Sequence, residues 1–156
     1  MTFKSGYVAI LGQPNVGKST LLNQIIGEPV AIVTPKPQTT RNRIVGILNR
    51  PNAQMVFIDT PGYHSVPKLL NQFMLNEIEQ TIESSDLFCF LVDPDPLYPE
   101  LDDQIMDRLK DKNPLVVVNK TDILTKEKRE SFAEELRDRW DLKELFFHRG
   151  ENGRGC

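Results

Sequence analysis

The sequence has few cysteines and no excess of positive charge. Its two cysteines, Cys89 and Cys156, lack the spacing of a disulfide framework or a zinc site, so we expect Cys89 to be a small core residue. The 22 acidic and 19 basic residues give a formal net charge of −3, which provides no global positive field for nucleic acid or an anionic membrane. A partner of that kind would need a local basic patch or another domain.

Long apolar segments are also missing. The longest apolar run, Leu87 to Val92, is far shorter than the ~20 residues that a membrane-spanning helix needs. The first residues lead directly into a predicted strand, without the apolar segment of a signal peptide. A chain of 156 residues can form one α/β domain with a real core and is too short for two. We therefore expect one soluble, cytoplasmic domain over residues 1–156.

Apolar, β-rich runs alternate with helical patterns along the chain. The alternation predicts a three-layer α/β sandwich, a mostly parallel sheet of about six strands with helices on both faces, and ligands at the carboxyl ends of the strands. The predicted strands are Tyr7 to Leu11, Ile44 to Leu48, Met55 to Asp59, Leu87 to Asp93, Leu115 to Asn119 and a weak one at Leu145 to Phe147. The predicted helices are Lys18 to Ile26, Leu69 to Glu83, Leu101 to Lys110 and Lys126 to Trp140, the last with Thr125 as its N-cap.

A phosphate-binding pattern lies between the first predicted strand and the first predicted helix, a context that distinguishes it from a Gly-rich turn. Residues 12–19, Gly-Gln-Pro-Asn-Val-Gly-Lys-Ser, match GxxxxGK[ST]. The glycines let the loop amides point at a β-phosphate beside a helix N-terminus. Lys18 should supply charge to the β- and γ-phosphates, and the Ser19 hydroxyl is a predicted Mg²⁺ ligand. The predicted nucleotide-binding residues of this loop are Gly12, Gln13, Pro14, Asn15, Val16, Gly17, Lys18, Ser19 and Thr20.

Two further segments should complete the phosphate and Mg²⁺ site. Asp59 ends a predicted buried strand and should hold the metal, through water, while Gly62 should offer its amide to the γ-phosphate. The loop before the second strand supplies hydroxyls, of which Thr40 is the preferred Mg²⁺ ligand and Thr39 the alternative. Loss of the γ-phosphate would release Thr40 and let this loop disorder. The predicted nucleotide-binding residues of the second segment are Asp59, Thr60, Pro61 and Gly62.

The base is predicted to be guanine because of a tetrapeptide, Asn119-Lys120-Thr121-Asp122, that follows the predicted strand ending near Val118. The Asp122 carboxylate can accept from both N1–H and the N2 amino group of guanine, whereas adenine offers no such pair of donors. Asn119 can bond the N7 side of the base and stiffen the phosphate loop, and the aliphatic stem of Lys120 can cover the base. All four residues are predicted to bind nucleotide.

These motifs resemble the Era family of GTPases, in the translation-factor-like class. The resemblance rests on residues 12–20, on Pro-Gln-Thr-Thr-Arg at 37–41 followed by 44–47, on 59–64 and on 119–122, and it spans nearly the whole chain. The Der and MnmE relatives share the first and last motifs, but the Gln-Thr-Thr-Arg loop favours Era. The resemblance implies a bacterial protein that hydrolyses GTP to GDP and phosphate, binds 16S ribosomal RNA and assists small-subunit assembly. The basic residues Lys36, Arg41 and Arg43 fit either a solvated loop or contact with RNA or a partner.

Two departures from the family limit what the resemblance implies. The family continues into a C-terminal KH domain, and its fifth motif, Ser-Ala, aligns with Arg149-Gly150 here. The final helix that usually covers the edge of the sheet in the family also has no counterpart in this sequence. We therefore expect a monomeric G domain, truncated at its C-terminal end, with reduced stability and weaker nucleotide binding. Full-length members would be cytoplasmic, with a peripheral association at the inner membrane.

Hydrolysis is expected to be slow, because Tyr63 stands where Ras-like enzymes place the glutamine that orients water. The predicted catalytic residues are Lys18, Thr40 and Gly62. In related GTPases an asparagine at the position of Asn15 ligates K⁺, so we hypothesise K⁺ as a second cation. His64 is either a base or a solvent-facing loop residue. Two other classes stay open: a guanine-nucleotide-binding module that does not hydrolyse, and an ATP-using P-loop enzyme, which Asp122 argues against.

Overall fold

Six strands and four α-helices form a three-layer sandwich in the residues that the structure, a computed structural model, describes: 2–13, 16–27, 44–59, 67–96 and 98–149. The strands are β1 (Lys4–Leu11), β2 (Ile44–Arg50), β3 (Ala53–Asp59), β4 (Leu87–Val92), β5 (Leu115–Val118) and β6 (Phe146–Phe147). The helices are α1 (Lys18–Ile26), α2 (Pro67–Glu83), α3 (Pro99–Leu109) and α4 (Lys126–Trp140), with short 3₁₀ turns at Lys110–Lys112 and Thr121–Ile123. The predicted fold class is confirmed.

The sheet has the order β2-β3-β1-β4-β5-β6, and β2 is antiparallel to β3 while the other neighbouring pairs are parallel. Two residues, Pro51 and Asn52, separate β2 from β3, and so short a connection can join only antiparallel neighbours. The parallel pairs have helical crossovers, as parallel strands require. Because β1, β3, β4 and β5 run in the same direction, their carboxyl ends lie at one edge of the sheet.

The helix ends follow local signals. Gly17 (φ 95°) and Gly27 (φ 80°) flank α1 in the left-handed region, and the Gly27 amide donates to the Asn23 carbonyl at 2.9 Å. The predicted N-cap of α4 is present, since the Thr125 hydroxyl accepts from the Lys128 amide at 3.2 Å. Helices α2 and α3 each begin two residues earlier than predicted, at Pro67 and Pro99. Proline suits the first helical position, where its missing donor has no partner to lose.

Two apolar clusters cover the two faces of the sheet. One joins α2, α3 and α4 to alternate residues of β1, β4 and β5, and its largest fully buried side chain is Phe90, whose ring centroid is 5.5 Å from that of Trp140. The other packs α1 against β1, β3 and β4 and includes Cys89. Burial raises the pKa of the Cys89 thiol to about 11, so the predicted small core residue is confirmed. No helix in the described ranges is long and apolar enough to cross a membrane.

Candidate nucleotide-binding site

The phosphate loop leaves β1 at Gly12 and enters α1 after Gly17. A Cβ on Gly12 would lie 2.6 Å from the Leu91 carbonyl oxygen, so the first glycine is required by close approach of the backbone to β4. The Lys18 ammonium donates to the Gly12 carbonyl oxygen at 2.9 Å, which places its charge over the loop. A lysine at a helix N-terminus adds a cation to the positive end of the helix dipole, which suits a polyphosphate.

The guanine motif reaches back to the phosphate loop through Asn119. This side chain is 1% exposed, and its Nδ2 donates to the Val16 carbonyl oxygen at 2.6 Å, across 103 residues of sequence. The Asn119 amide donates to the Val92 carbonyl at 2.8 Å, which extends the alignment of β5 with β4. A Cβ on Gly17 would overlap Asn119 Nδ2, so the second glycine of the loop makes room for this contact. The stiffening contact expected of Asn119 is therefore present in the structure.

Lys120 is tied to a carboxylate that the sequence patterns did not single out. Its Nζ lies 2.7 Å from Asp93 Oδ2, and Asp93 follows directly after β4, as Asn119 follows β5. The nearly buried Asp93 also accepts from the Asp95 amide at 2.9 Å. Lys120 itself adopts a left-handed backbone, with φ 56°. The ion pair directs the lysine along the carboxyl edge of the sheet, where its stem can lie against a base.

The last two residues of the motif differ in exposure. Thr121 is 2% exposed, and both its hydroxyl and its amide donate to the His148 carbonyl oxygen, at 3.0 and 3.2 Å. Asp122 is exposed in the 3₁₀ turn Thr121–Ile123. Thr121 therefore joins the motif to the segment after β6, while the carboxylate of Asp122 stays accessible to a ligand.

His148 packs beside Asn119 and was not predicted from the sequence. Its Nδ1 is 2.7 Å from Asn119 Oδ1, and its Nε2 contacts Gln24 Oε1 on α1. Because Asn119 Nδ2 already donates to Val16, its oxygen must face His148, and we assign the ring proton to Nδ1. In the neutral ring Nε2 is then an acceptor, so the Gln24 side-chain amide must turn its N–H group toward it. Burial lowers the pKa of His148, which favours the neutral ring. The only sequence signal was its place after the last strand, one residue before Arg149.

The side chain of Gln13 is directed away from the loop opening and into the protein. It is 0% exposed, and it bonds to Tyr98 and to Asp102 at the start of α3. With its side chain bonded inside the protein, Gln13 can contribute only its backbone groups to the predicted nucleotide binding.

The predicted metal ligands are only partly within the described residues. Ser19 is the second residue of α1, and Asp59 is the last residue of β3, paired in register with Ile10. Both positions lie at the carboxyl edge, and a hydroxyl and a carboxylate are the hard oxygen donors that Mg²⁺ prefers, so the donor types fit this ion. In the described part of the chain no group of three or more His, Cys, Asp or Glu could hold a metal. The predicted residues that lie outside it are Pro14, Asn15, Thr39, Thr40, Thr60, Pro61, Gly62, Tyr63, His64 and Gly150.

Comparison with known proteins gives one family. A model of the family described as 50S ribosome-binding GTPase matches residues 7–120. Two Era structures are 37% identical with a TM-score of 0.71: Era with MgGDPNP and nucleotides 1506–1542 of 16S ribosomal RNA, and a variant of Aquifex aeolicus Era with GDP·AlF₄⁻. Each alignment covers 96% of this chain and 53% or 54% of the Era chain, so this chain spans about half the length of these relatives.

Elongation factor SelB from Methanococcus maripaludis, solved with the GTP analogue GppNHp, is 15% identical, has a TM-score of 0.63, and is aligned over 94% of this chain and 30% of its own. That likeness concerns the fold alone. The family match covers well over half of the sequence, and the motifs that define it meet at one edge of the sheet. The chain belongs to the family of 50S ribosome-binding GTPases, with a G domain similar to that of Era.

Proposed function

We propose that this chain binds GTP and GDP at the carboxyl edge of its sheet and hydrolyses GTP to GDP and phosphate. The observation that supports this most directly is the Asn119–Val16 hydrogen bond of 2.6 Å. It fixes the distance between a loop suited to polyphosphate and a motif suited to guanine, so one nucleotide can engage both. A pocket preorganised in this way gains affinity because less ordering remains to be done on binding.

Base selection is assigned to Asp122. Its exposed carboxylate accepts two hydrogen bonds from the Watson–Crick edge of guanine, and adenine would leave it without donors. The neighbouring Lys120 is held by Asp93 and supplies an apolar stem to the base face. These roles give a preference for GTP over ATP.

Phosphate chemistry is assigned to the opposite end of the site. Ser19, Thr40 and Asp59 would hold Mg²⁺, which when bound neutralises charge on the β- and γ-phosphates. Lys18 adds a second positive charge there, and the Gly62 amide is assigned to the γ-phosphate. Because Tyr63 cannot orient water as a glutamine does, we propose slow hydrolysis, with K⁺ at Asn15 as an accelerating cation.

The test is a titration of the chain with fluorescent GDP and GTP in Mg²⁺ buffer, with ATP as competitor, followed by phosphate release in K⁺ and in Na⁺. Micromolar or tighter binding that ATP does not displace supports the nucleotide assignment. Binding without phosphate release would leave the alternative, a guanine-nucleotide module that does not hydrolyse. Displacement by ATP would contradict the role of Asp122, and equal rates in K⁺ and Na⁺ would remove the K⁺ site.

The finer role proposed is that of an Era GTPase which binds 16S ribosomal RNA and acts in small-subunit assembly in the cytoplasm. Support comes from the 37% identity to Era, one structure of which contains nucleotides 1506–1542 of that RNA. In this proposal residues 1–156 are a monomeric G domain, and RNA is held mainly by a KH domain. A labelled RNA of the same region should bind this chain weakly or not at all. Tight binding would mean that the RNA site lies in the G domain. If the protein is instead a Der or MnmE relative, its full-length form should show no preference for this RNA.

A further inference from the structure

The first turn of α3 is bonded to the phosphate loop by a single buried side chain. Gln13 Oε1 accepts from the Tyr98 amide at 2.9 Å, and Gln13 Nε2 donates to the Tyr98 carbonyl at 3.1 Å and to Asp102 Oδ1 at 2.9 Å. Both N–H donors of the Gln13 side chain are thus used by protein groups 85 and 89 residues away, and its oxygen accepts one hydrogen bond. Since α3 has no side-chain cap of its own, Gln13 supplies an acceptor to its N-terminus from the loop.

The peptide bond between residues 12 and 13 carries this attachment to the phosphate end of the site. The carbonyl of Gly12 lies in the same rigid peptide plane as the Gln13 nitrogen. That carbonyl oxygen accepts from Lys18 Nζ at 2.9 Å. The position of Gln13 therefore helps to set the orientation of the group that holds the Lys18 ammonium, although Gln13 itself is 0% exposed.

Asp102, which accepts from Gln13 Nε2, places an ionisable carboxyl in a buried position that disfavours its charged form. The carboxyl is 7% exposed, and its partner is a neutral amide. Burial raises its pKa from an ordinary 3.8 to about 6, with Asp103 and Asp93 raising it further and the Gln13 hydrogen bond and Arg139 lowering it. A glutamine or asparagine at this position would avoid most of that cost. A buried carboxylate that disfavours folding at neutral pH and touches a ligand-binding loop is more readily explained by function than by stability.

We propose that Gln13 and Asp102, together with the Tyr98 backbone, form a latch that positions the phosphate loop and thereby sets the affinity of the chain for guanine nucleotides. This inference rests on the proposed function, and Gln13 acts in it as a positioning residue. The charged carboxylate makes the latch firm, since hydrogen bonds to an ionised acceptor are about twice as strong as neutral ones. By reciprocity, a bound nucleotide that orders the loop must favour ionised Asp102.

Three variants and a matched control test the latch. Gln13→Met keeps the length and burial but removes all three hydrogen bonds, and should weaken GDP binding about tenfold at pH 7.5. Asp102→Asn should weaken it about threefold to fivefold at pH 7.5. The double variant should be no weaker than Gln13→Met alone, because both changes break the same contact. Asp103→Asn removes the same charge from the next residue, which bonds to Arg139 and Trp140, and should leave GDP affinity unchanged.

The pH profile separates positioning from a general structural role. The ratio of the GDP Kd of Asp102→Asn to that of the wild type should be largest above pH 7 and should approach one near pH 5, where the wild-type carboxyl is protonated. The charged groups that face Asp102, namely Asp93, Asp103 and Arg139, are present in both proteins. Titration of the nucleotide phosphates and of His148 is common to both proteins and cancels in the ratio. In addition, Asp102→Asn should raise thermal stability at pH 8 while lowering affinity, whereas a merely structural role moves both in the same direction.

Wild-type affinity in folded Gln13→Met, or a Kd ratio that does not change with pH, would overturn the proposal. If the wild-type chain binds no guanine nucleotide, the proposed function fails, and a second measurement decides the latch. Amide hydrogen exchange at Val16 and Gly17 should then be faster in Gln13→Met than in the wild type and Asp103→Asn. Equal exchange in all three would reject the latch on its own.

Discussion

The phosphate loop and the guanine motif meet at one edge of the sheet, but they are held there in different ways. Within the described part of the loop at residues 12–19, a residue at a position that the motif leaves unspecified, Gln13, makes three side-chain hydrogen bonds to the rest of the fold. In the guanine motif three consecutive residues make such contacts. Asn119 bonds to Val16, Lys120 to Asp93 and Thr121 to His148, and only Asp122 is left exposed.

In each motif, residues assigned to the ligand can be separated from residues that make contacts within the fold. In the phosphate loop the specified lysine and serine are assigned to the ligand. The two glycines permit close approaches within the fold, Gly12 to the Leu91 carbonyl oxygen and Gly17 to Asn119.

In the guanine motif Thr121 is bonded to the fold, and the exposed Asp122 is assigned to the base. Asn119 and Lys120 are assigned to the base and are also bonded to the fold. Substitutions in the two segments should therefore have different effects. Where the segments touch, we expect loss of nucleotide binding, and at Asp122 we expect a changed base preference. At the residues that support the two segments, we expect smaller losses of nucleotide affinity.

Breaking the contact between the two segments should have the largest effect. Gly17→Ala places a Cβ onto Asn119 Nδ2 at φ 95°, so the Asn119–Val16 bond and the loop conformation are both lost. We expect about 3 kcal/mol of destabilisation and at least a hundredfold loss of GDP affinity, measured by denaturation and by titration. Gly27→Ala is the control, since it also has positive φ, at 80°, but meets nothing within 4 Å. Equal effects of the two changes would mean that backbone strain, not the contact, is decisive.

Asp122→Asn should change the base rather than the fold. The amide can no longer accept from both guanine donors, so GDP affinity should fall about a hundredfold, while xanthosine diphosphate, which has a carbonyl in place of the amino group, should bind more tightly than before. Competition titrations measure both. Asp111→Asn, an exposed aspartate in the other 3₁₀ turn, should leave the preference intact. An unchanged ratio of guanine to xanthine affinity would remove Asp122 from the base site.

Stability should depend on pH through Asp102. Its carboxyl binds a proton more tightly in the folded chain (pKa about 6) than in the unfolded one (3.8), so it contributes stability below pH 4 that is lost as the pH rises through 6. Asp102→Asn removes the cost of the buried charge and should raise the free energy of unfolding at pH 8 by about 3 kcal/mol. Urea denaturation at pH 5 and pH 8 checks this. A variant that is less stable than the wild type at pH 8 would show that interactions in the folded protein stabilise the ionised carboxylate by more than burial destabilises it.

The smallest effect is expected at His148. His148→Ala removes the donor to Asn119 Oδ1 and should weaken GDP binding about twofold to fivefold. His148→Asn can present an amide donor at the position of Nδ1 and should restore most of the affinity. Because burial lowers the pKa of the ring, protonation opposes folding, and the wild type should lose stability as the pH falls below about 6.5 while His148→Asn does not share this loss. Equal affinities of wild type and His148→Ala would limit His148 to a passive neighbour.

The fold could be predicted because its signals are local. Continuous apolar runs identify buried parallel strands, and Gly27 and Thr125 give the observed ends of α1 and α4. The starts of α2 and α3 were predicted two residues too late, since Pro67 and Pro99 were left outside the predicted helices, although proline is accepted in the first turn.

The contacts between the two motifs were predicted only in part. Asn119 was expected to stiffen the loop, because the motif itself implies it. The supporting residues Asp93, Asp102 and His148 belong to no pattern, and their partners lie 27, 89 and 29 residues away along the chain. Only the order of the strands brings them together, and a single sequence does not specify which buried carboxylate will face which amide. Gln13 was predicted to bind nucleotide because it lies within the loop pattern, which does not specify where its side chain points.

The buried thiol of Cys89 gives the chain its own reporter of opening. It lies in the middle of β4, between α1 and the sheet, and its raised pKa of about 11 keeps it protonated at neutral pH. In a Cys156→Ser variant, which leaves Cys89 as the single thiol, an alkylating reagent can react only after β4 loses its cover, so the labelling rate measures how often the centre of the sheet is exposed. Added GDP should slow that reaction in proportion to its occupancy, which turns a residue with no part in nucleotide chemistry into a gauge of nucleotide binding.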